Sequence, residues 1–151
     1  IADPFLRFWY RYVSPQRSHL QSRRFAPVMA TIQADFPHHV AGIWEDLVRA
    51  SIPQLGLFQK EWGGARPWWG PGLDRKPLEI DVVAESLDGS SLLLGSVKWQ
   101  RQGSRAAAWA ELEKQAALFP DSQGRQVLLC LFTQKPARQD LGPEQVLQAL
   151  R

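Results

Sequence analysis

The run RQVLLCLFT, residues 125–133, sets the strongest limit on what this chain can become. From Val127 to Phe132 it is apolar without alternation, so neither side of it suits water. A strand reads this way when layers cover both faces of its sheet, and in an α/β domain those layers are helices. The segment just before it fits that demand. SRAAAWAELEKQAALF is an amphipathic helix that starts at Gly103 or Ser104 and stops at Pro120. Trp109, Leu112 and Ala116 fall on its sheet-facing side, which leaves Glu111 and Lys114 to solvent. Earlier still, residues 78–85 and 91–99 form a hairpin around LDGSS, with Asp88 and Gly89 supplying the turn.

The remaining elements follow from caps, breakers and periodicity. Asp3 is placed as an N-cap and Pro4 as the first helical residue, and Phe5, Phe8, Trp9 and Tyr12 recur at helical spacing. SPQRSHLQSRR is a polar, basic loop or loose helix. Val28, Ile32 and Phe36 mark a second helical stretch. Asp35 and Pro37 are expected to restart the helix, which then shows a wide apolar face at Val40, Trp44, Leu47 and Val48 up to Pro53. GLFQKEW reads as a short strand, GGARPWWGPGLDRKP as a loop, and GPEQVLQALR as a last helix from Pro143. The order from residue 37 is therefore helix, strand, strand, strand, helix, strand. That is a mixed α/β sheet, residues 37–151, preceded by a helical extension, residues 1–36.

Bulk properties narrow the function classes. The chain has 151 residues, 44% hydrophobic and 22% charged, enough for one domain with a proper core. No apolar stretch reaches membrane-spanning length and no signal-peptide pattern is present. A single cysteine, Cys130 inside the apolar run, reads as a buried, inert thiol, and the lack of any disulfide framework points to a cytoplasmic protein. A net charge of +3 permits nucleic-acid binding without demanding it. Seven tryptophans are a richer signal, since tryptophan favours cores, interfaces and stacking platforms. The chain opens on Ile1 in an aromatic stretch, so it is expected to be a fragment of a longer polypeptide.

The chemistry concentrates in LEIDVVAESLDGSSLLLGSVKWQ, residues 78–100. By strict alternation Glu79, Asp81, Val83 and Glu85 share one face of the first strand, while Leu92, Leu94, Ser96 and Lys98 share one face of the second. A lysine that continues an apolar row is either a strand-end side chain reaching for water or part of a site. On the preceding helix Ala41, Glu45, Val48 and Ile52 form one stripe, and a glutamate inside an apolar stripe requires a partner.

This hairpin resembles the core of the PD-(D/E)XK nuclease superfamily, which has the same order of helices and strands. More closely, DPFLRFWYRYVSPQRS, GIWEDLVR, WWG, EIDVVAE and LLLGSVKW resemble, in that order, the C-terminal domain of a family of archaeal-type, AAA-like ATPases also found in bacteria. There a P-loop ATPase and a winged-helix segment come first. The resemblance implies that an N-terminal ATPase domain of the same chain is a partner. No Gly-x-x-x-x-Gly-Lys-Ser/Thr loop occurs here, so this segment is not expected to bind ATP. It also implies a metal site at Asp81 and Glu45, with Lys98 orienting the nucleophile and Mg²⁺ or Mn²⁺ as cofactor. Ser96 stands where the family carries a second glutamate.

Losing that carboxylate predicts a degenerate site and an accessory module that binds nucleic acid or a protein partner. The alternative is an active Mg²⁺-dependent DNA or RNA endonuclease in which Glu79 supplies the missing group. Arg66, Trp68, Trp69 and Lys76 are the candidate nucleic-acid contacts, with one tryptophan expected to pack. A homodimer through exposed aromatic residues is a third reading. Arg17, Arg23 and Arg24 form a basic cluster, Gln115 resembles a glutamine near some nuclease sites, and His38 and His39 are expected to be solvated rather than metal ligands.

Overall fold

A computed structural model describes residues 3–99, 104–137 and 139–151, so the helix start considered at Gly103 lies outside the described residues. The chain divides into two compact units, residues 1–43 and 44–151. No helix among the described residues is long and apolar enough to cross a membrane.

The first unit is helical. Asp3 caps helix α1 (Pro4–Phe8) as expected, its carboxylate accepting from the Leu6 amide at 3.0 Å. A π-helical turn (Trp9–Val13) and a 3₁₀ turn (Ser14–Gln16) lead to α2 (Arg17–Gln21), and α3 (Phe25–Leu55) begins after it. Buried Tyr12 donates its hydroxyl to Asp35 Oδ2 at 2.7 Å, and Arg11 forks onto the same carboxylate, Nη2 lying 2.9 Å from Oδ1. These bonds, Arg11's first, draw the Asp35 carboxyl down to about 2. Beside them sits His39, buried among the rings of Phe8, Tyr12 and Phe36 at centroid distances of 6.0, 5.5 and 6.1 Å. Only His38 keeps the expected exposure. His39 turns inward because an aromatic cluster recruits its ring, and burial pushes its pKa down.

α3 runs unbroken through Pro37, where a restart was expected. An interior proline costs a helix about 3 kcal/mol. Burial on both sides of it offsets that cost: Val28 and His39 in the first unit, Trp44, Val48 and Ile52 in the second. The helix ends where Gly56 takes the left-handed conformation, φ +55°.

The second unit is a four-stranded sheet in the order β1 (Arg66–Pro71), β2 (Pro77–Glu85), β3 (Ser91–Lys98), β4 (Gln126–Thr133). β1–β2 and β2–β3 are antiparallel and β3–β4 is parallel, joined across α4 (Arg105–Leu118). The expected strand at GLFQKEW is a 3₁₀ turn (Leu57–Gln59) followed by a single bridge from Trp62 to Ser86. The first strand instead lies inside the expected loop. Pro67 and Pro71 fit there because β1 is an edge, where a missing N–H costs little.

Helices cover the sheet from both sides, as the apolar run demanded. Cys130 and Phe132 join Val82, Ala84, Leu93 and Val97 in a core with Trp44, Val48 and Ile52 of α3. Val127 and Leu129 pack with Leu92, Leu94 and Ile80 against Ala116, Leu118 and Phe119. Burial pushes the Cys130 thiol up to about 12, so it is inert as expected. Ser104 caps α4 by accepting from the Ala107 amide at 3.1 Å, and Leu112 is buried while Glu111 and Lys114 are exposed. Arg105 and Trp109 bind the buried Asp140 carboxylate at 2.6, 2.8 and 3.1 Å, which ties α4 to the approach of α5 (Pro143–Ala149).

Candidate functional site

Asp81 lies at an irregularity of β2. Pairing with β1 passes from Trp68↔Ile80 to Arg66↔Val83, two residues against three, which is a β-bulge between Ile80 and Val83. Leu78, Ile80 and Val83 therefore belong to the core beneath α4, whereas Val82 and Ala84 belong to the core beneath α3. Strict alternation fails along this strand. One extra residue reverses the facing of everything beyond it.

The bulge gives Asp81 a structural task. The β2–β3 ladder runs from Glu85↔Leu92 to Val82↔Gly95. Past that pair, the Val97 amide donates to Asp81 Oδ2 at 2.7 Å, and Ser96 Oγ donates to the same oxygen at 3.2 Å. A carboxylate thus stands in for a backbone acceptor, and an ionised acceptor makes the stronger bond. Ser96 is buried; Lys98, two residues on at the end of β3, is exposed and has no ion pair among the described residues.

Glu45 reaches this corner from α3, but its partner is a residue the sequence reading passed over. Arg49 Nη1 lies 3.5 Å from Glu45 Oε2 and donates to the backbone carbonyl of Asp81 at 3.0 Å, while Nη2 donates to Asp46 Oδ1 at 2.7 Å. Its signal was present in the helix. Arg49 is four residues after Glu45 and three after Asp46, the spacings at which helical side chains meet. Burial raises the Glu45 carboxyl above the ordinary range and the Asp81 charge adds to it, against the pull of Arg49. The structure therefore brings Glu45, Arg49, Asp81 and Ser96 together.

This donor set does not suit a divalent cation. Mg²⁺ requires oxygen ligands free to approach it in octahedral geometry. Here Asp81 Oδ2 is taken by two donors, Glu45 faces a guanidinium, and Ser96 is neutral. Among the described residues no three Asp, Glu, His or Cys side chains converge on a metal position. Glu79 is exposed and pairs across the strands with Trp69.

The two tryptophans of β1 part company. Trp68 packs edge-on against Phe119, centroids 5.1 Å apart. Trp69 faces the other way and is 76% exposed, and Arg66 and Lys76 are also exposed. Gln115 is half-buried on α4.

The model of the DUF234 family, described as archaea bacterial proteins of unknown function, matches residues 9–113. The chain belongs to DUF234. That match takes in Glu45, Arg49, Asp81, Ser96 and Lys98 with the elements that carry them, and β4 lies beyond it. No curated protein and no solved structure matches the chain.

Proposed function

We propose that this DUF234 chain is a nuclease-like domain of the PD-(D/E)XK kind that has lost cutting. In this reading it serves as an accessory module for a P-loop ATPase, binding nucleic acid or a protein partner. The element order and the hairpin carrying Asp81, Ser96 and Lys98 support the kinship. The observation that carries the loss of cutting is the Arg49 guanidinium between Glu45, Asp46 and the Asp81 carbonyl, where a nuclease would need open oxygen ligands. A fixed positive charge balances the acidic groups and supplies no activated water. Trp69, Arg66 and Lys76 offer one stacking ring and two cations toward a nucleic acid.

The test is cleavage and retardation side by side. With Mg²⁺ or Mn²⁺ the chain should leave plasmid, linear DNA and RNA intact. Retardation on a gel should weaken with salt, because phosphate contacts release counterions, and should weaken in Trp69→Ala. Ser96→Glu alone should bind Mn²⁺ poorly, since Arg49 still holds Glu45. Adding Arg49→Met should raise Mn²⁺ affinity by roughly 10-fold or more, the scale on which groups around a metal act. Wild-type cleavage that vanishes in both Asp81→Ala and Lys98→Ala would instead make this a working endonuclease.

A further inference from the structure

Phe25, Met29, Ile32 and Phe36 follow one another along α3 at steps of four, three and four. That is the spacing with which one helix presents a seam to another. Val28 and His39 lie on the covered side of this stretch, whereas Phe25, Met29 and Phe36 are exposed. Phe8 meets Phe36 at 6.5 Å between centroids, and on the same helical stretch as Phe8 the ring of Phe5 meets Trp9 at 6.2 Å. Phe25, Met29 and Phe36 are 55%, 50% and 44% exposed. Three large apolar side chains on one helical stripe thus stand in water, the kind of exposed apolar surface that marks an interaction site.

Charge says what covers it. Residues 1–43 carry five arginines, no lysine, and two carboxylates, Asp3 and Asp35. Arg11 already neutralises Asp35. Arg17, Arg23 and Arg24 are exposed and have no ion pair among the described residues. Arginine with aromatic residues, and without lysine, is the composition of protein-binding hot spots. A second copy of the chain would set like charges against each other. We infer that residues 3–43 dock an amphipathic helix of a protein partner. Its apolar stripe lies along Phe25, Met29 and Phe36, and its Asp and Glu residues face Arg17, Arg23 and Arg24. This docking is independent of whether the Asp81 corner cuts.

The probe is a fluorescein-labelled helical peptide of Leu/Glu heptads, titrated with the full chain and read by fluorescence anisotropy. The comparison set is the same peptide with Lys for Glu, phosphatidylglycerol vesicles, a single-stranded oligonucleotide, and sedimentation of the chain alone. The acidic peptide should bind, the basic one should not, and salt above about 0.1 M should weaken the complex. Phe25→Ser with Phe36→Ser, and separately Arg23→Glu with Arg24→Glu, should each lower affinity by roughly tenfold or more. Circular dichroism checks that each variant keeps the wild-type fold: the arginines are exposed, whereas Phe36 also packs on Phe8 and His39. The arginine-reversed chain should gain affinity for the basic peptide, a result that loss of folding cannot mimic. Equal binding of both peptides, or no loss in either double variant, would overturn the proposal. So would binding of vesicles or oligonucleotide without the acidic peptide, or self-association abolished by Phe25→Ser with Phe36→Ser.

Discussion

Truncating Asp81 would strand two donors at once, the Val97 amide and the Ser96 hydroxyl. An unsatisfied buried donor costs about 1–3 kcal/mol. Asp81→Ala should therefore lower stability by about that amount in urea unfolding, whereas Asp81→Asn keeps an acceptor and should lose less. Equal losses in the two variants would argue against the structural task assigned to this carboxylate. Asp81 and Glu45 as candidates were legible in the sequence, one at the hairpin end and one inside an apolar helical stripe. Arg49 escaped because its spacing to Glu45 and Asp46 is that of any solvated helical ion pair. Its meaning comes from the Asp81 carbonyl, thirty-two residues away in the chain.

Among the elements, β3 is buried from Ser91 to Val97, so its side chains have to fit from both sides. Gly95 shows how tightly. A Cβ there would lie 3.0 Å from the Phe132 ring, 3.1 Å from Val82 Cβ and 3.3 Å from the Cys130 carbonyl. The neighbours belong to the two flanking strands, β2 and β4, and two of the contacts are rigid, so overpacking should cost about 1–3 kcal/mol. Gly95→Ala should shift the urea midpoint downward accordingly, and an unchanged midpoint would show that β3 and β4 can separate there. The hairpin, α4 and its Ser104 cap were legible because turn chemistry and period act within a few residues. β1 was not, since two prolines and four glycines in residues 63–72 read as loop until an edge position makes them harmless.

At the scale of the molecule, two carboxyls, one in each unit, contribute to the pH dependence of stability with opposite signs. In residues 1–43, Asp35 is held down to about 2 by Arg11 and Tyr12. A depressed carboxyl stabilises the fold above its ordinary pKa, about 4, and that contribution disappears as pH falls through the folded value. In residues 44–151, burial and the Asp81 charge raise Glu45, so the folded form holds its proton longer and this carboxyl's contribution to stability falls as pH rises through the carboxylate range. Melting followed from pH 7 down should show a constant gap between wild type and Asp35→Asn until about pH 4. The gap should then close toward pH 2, and a gap independent of pH would remove Asp35 from this role. Glu45→Gln should remove that carboxyl's contribution, so the gap between it and the wild type should change with the opposite sign through the carboxylate range.

The sequence by itself determined that this chain builds a covered α/β sheet with a central antiparallel hairpin, an amphipathic crossover helix and a buried Cys130. Those features rest on periodicity, caps and turns, which are written in neighbouring residues. Tertiary structure alone decided the rest. It carried α3 through Pro37, because burial on both sides outweighs one lost hydrogen bond. It drew His39 inward, because Phe8, Tyr12 and Phe36 surround it. It also placed a bulge at Asp81 and a guanidinium beside Glu45, since both depend on pairing between segments distant in the chain. Local patterns name the elements, but only contacts across the sheet and helix set which side chains meet.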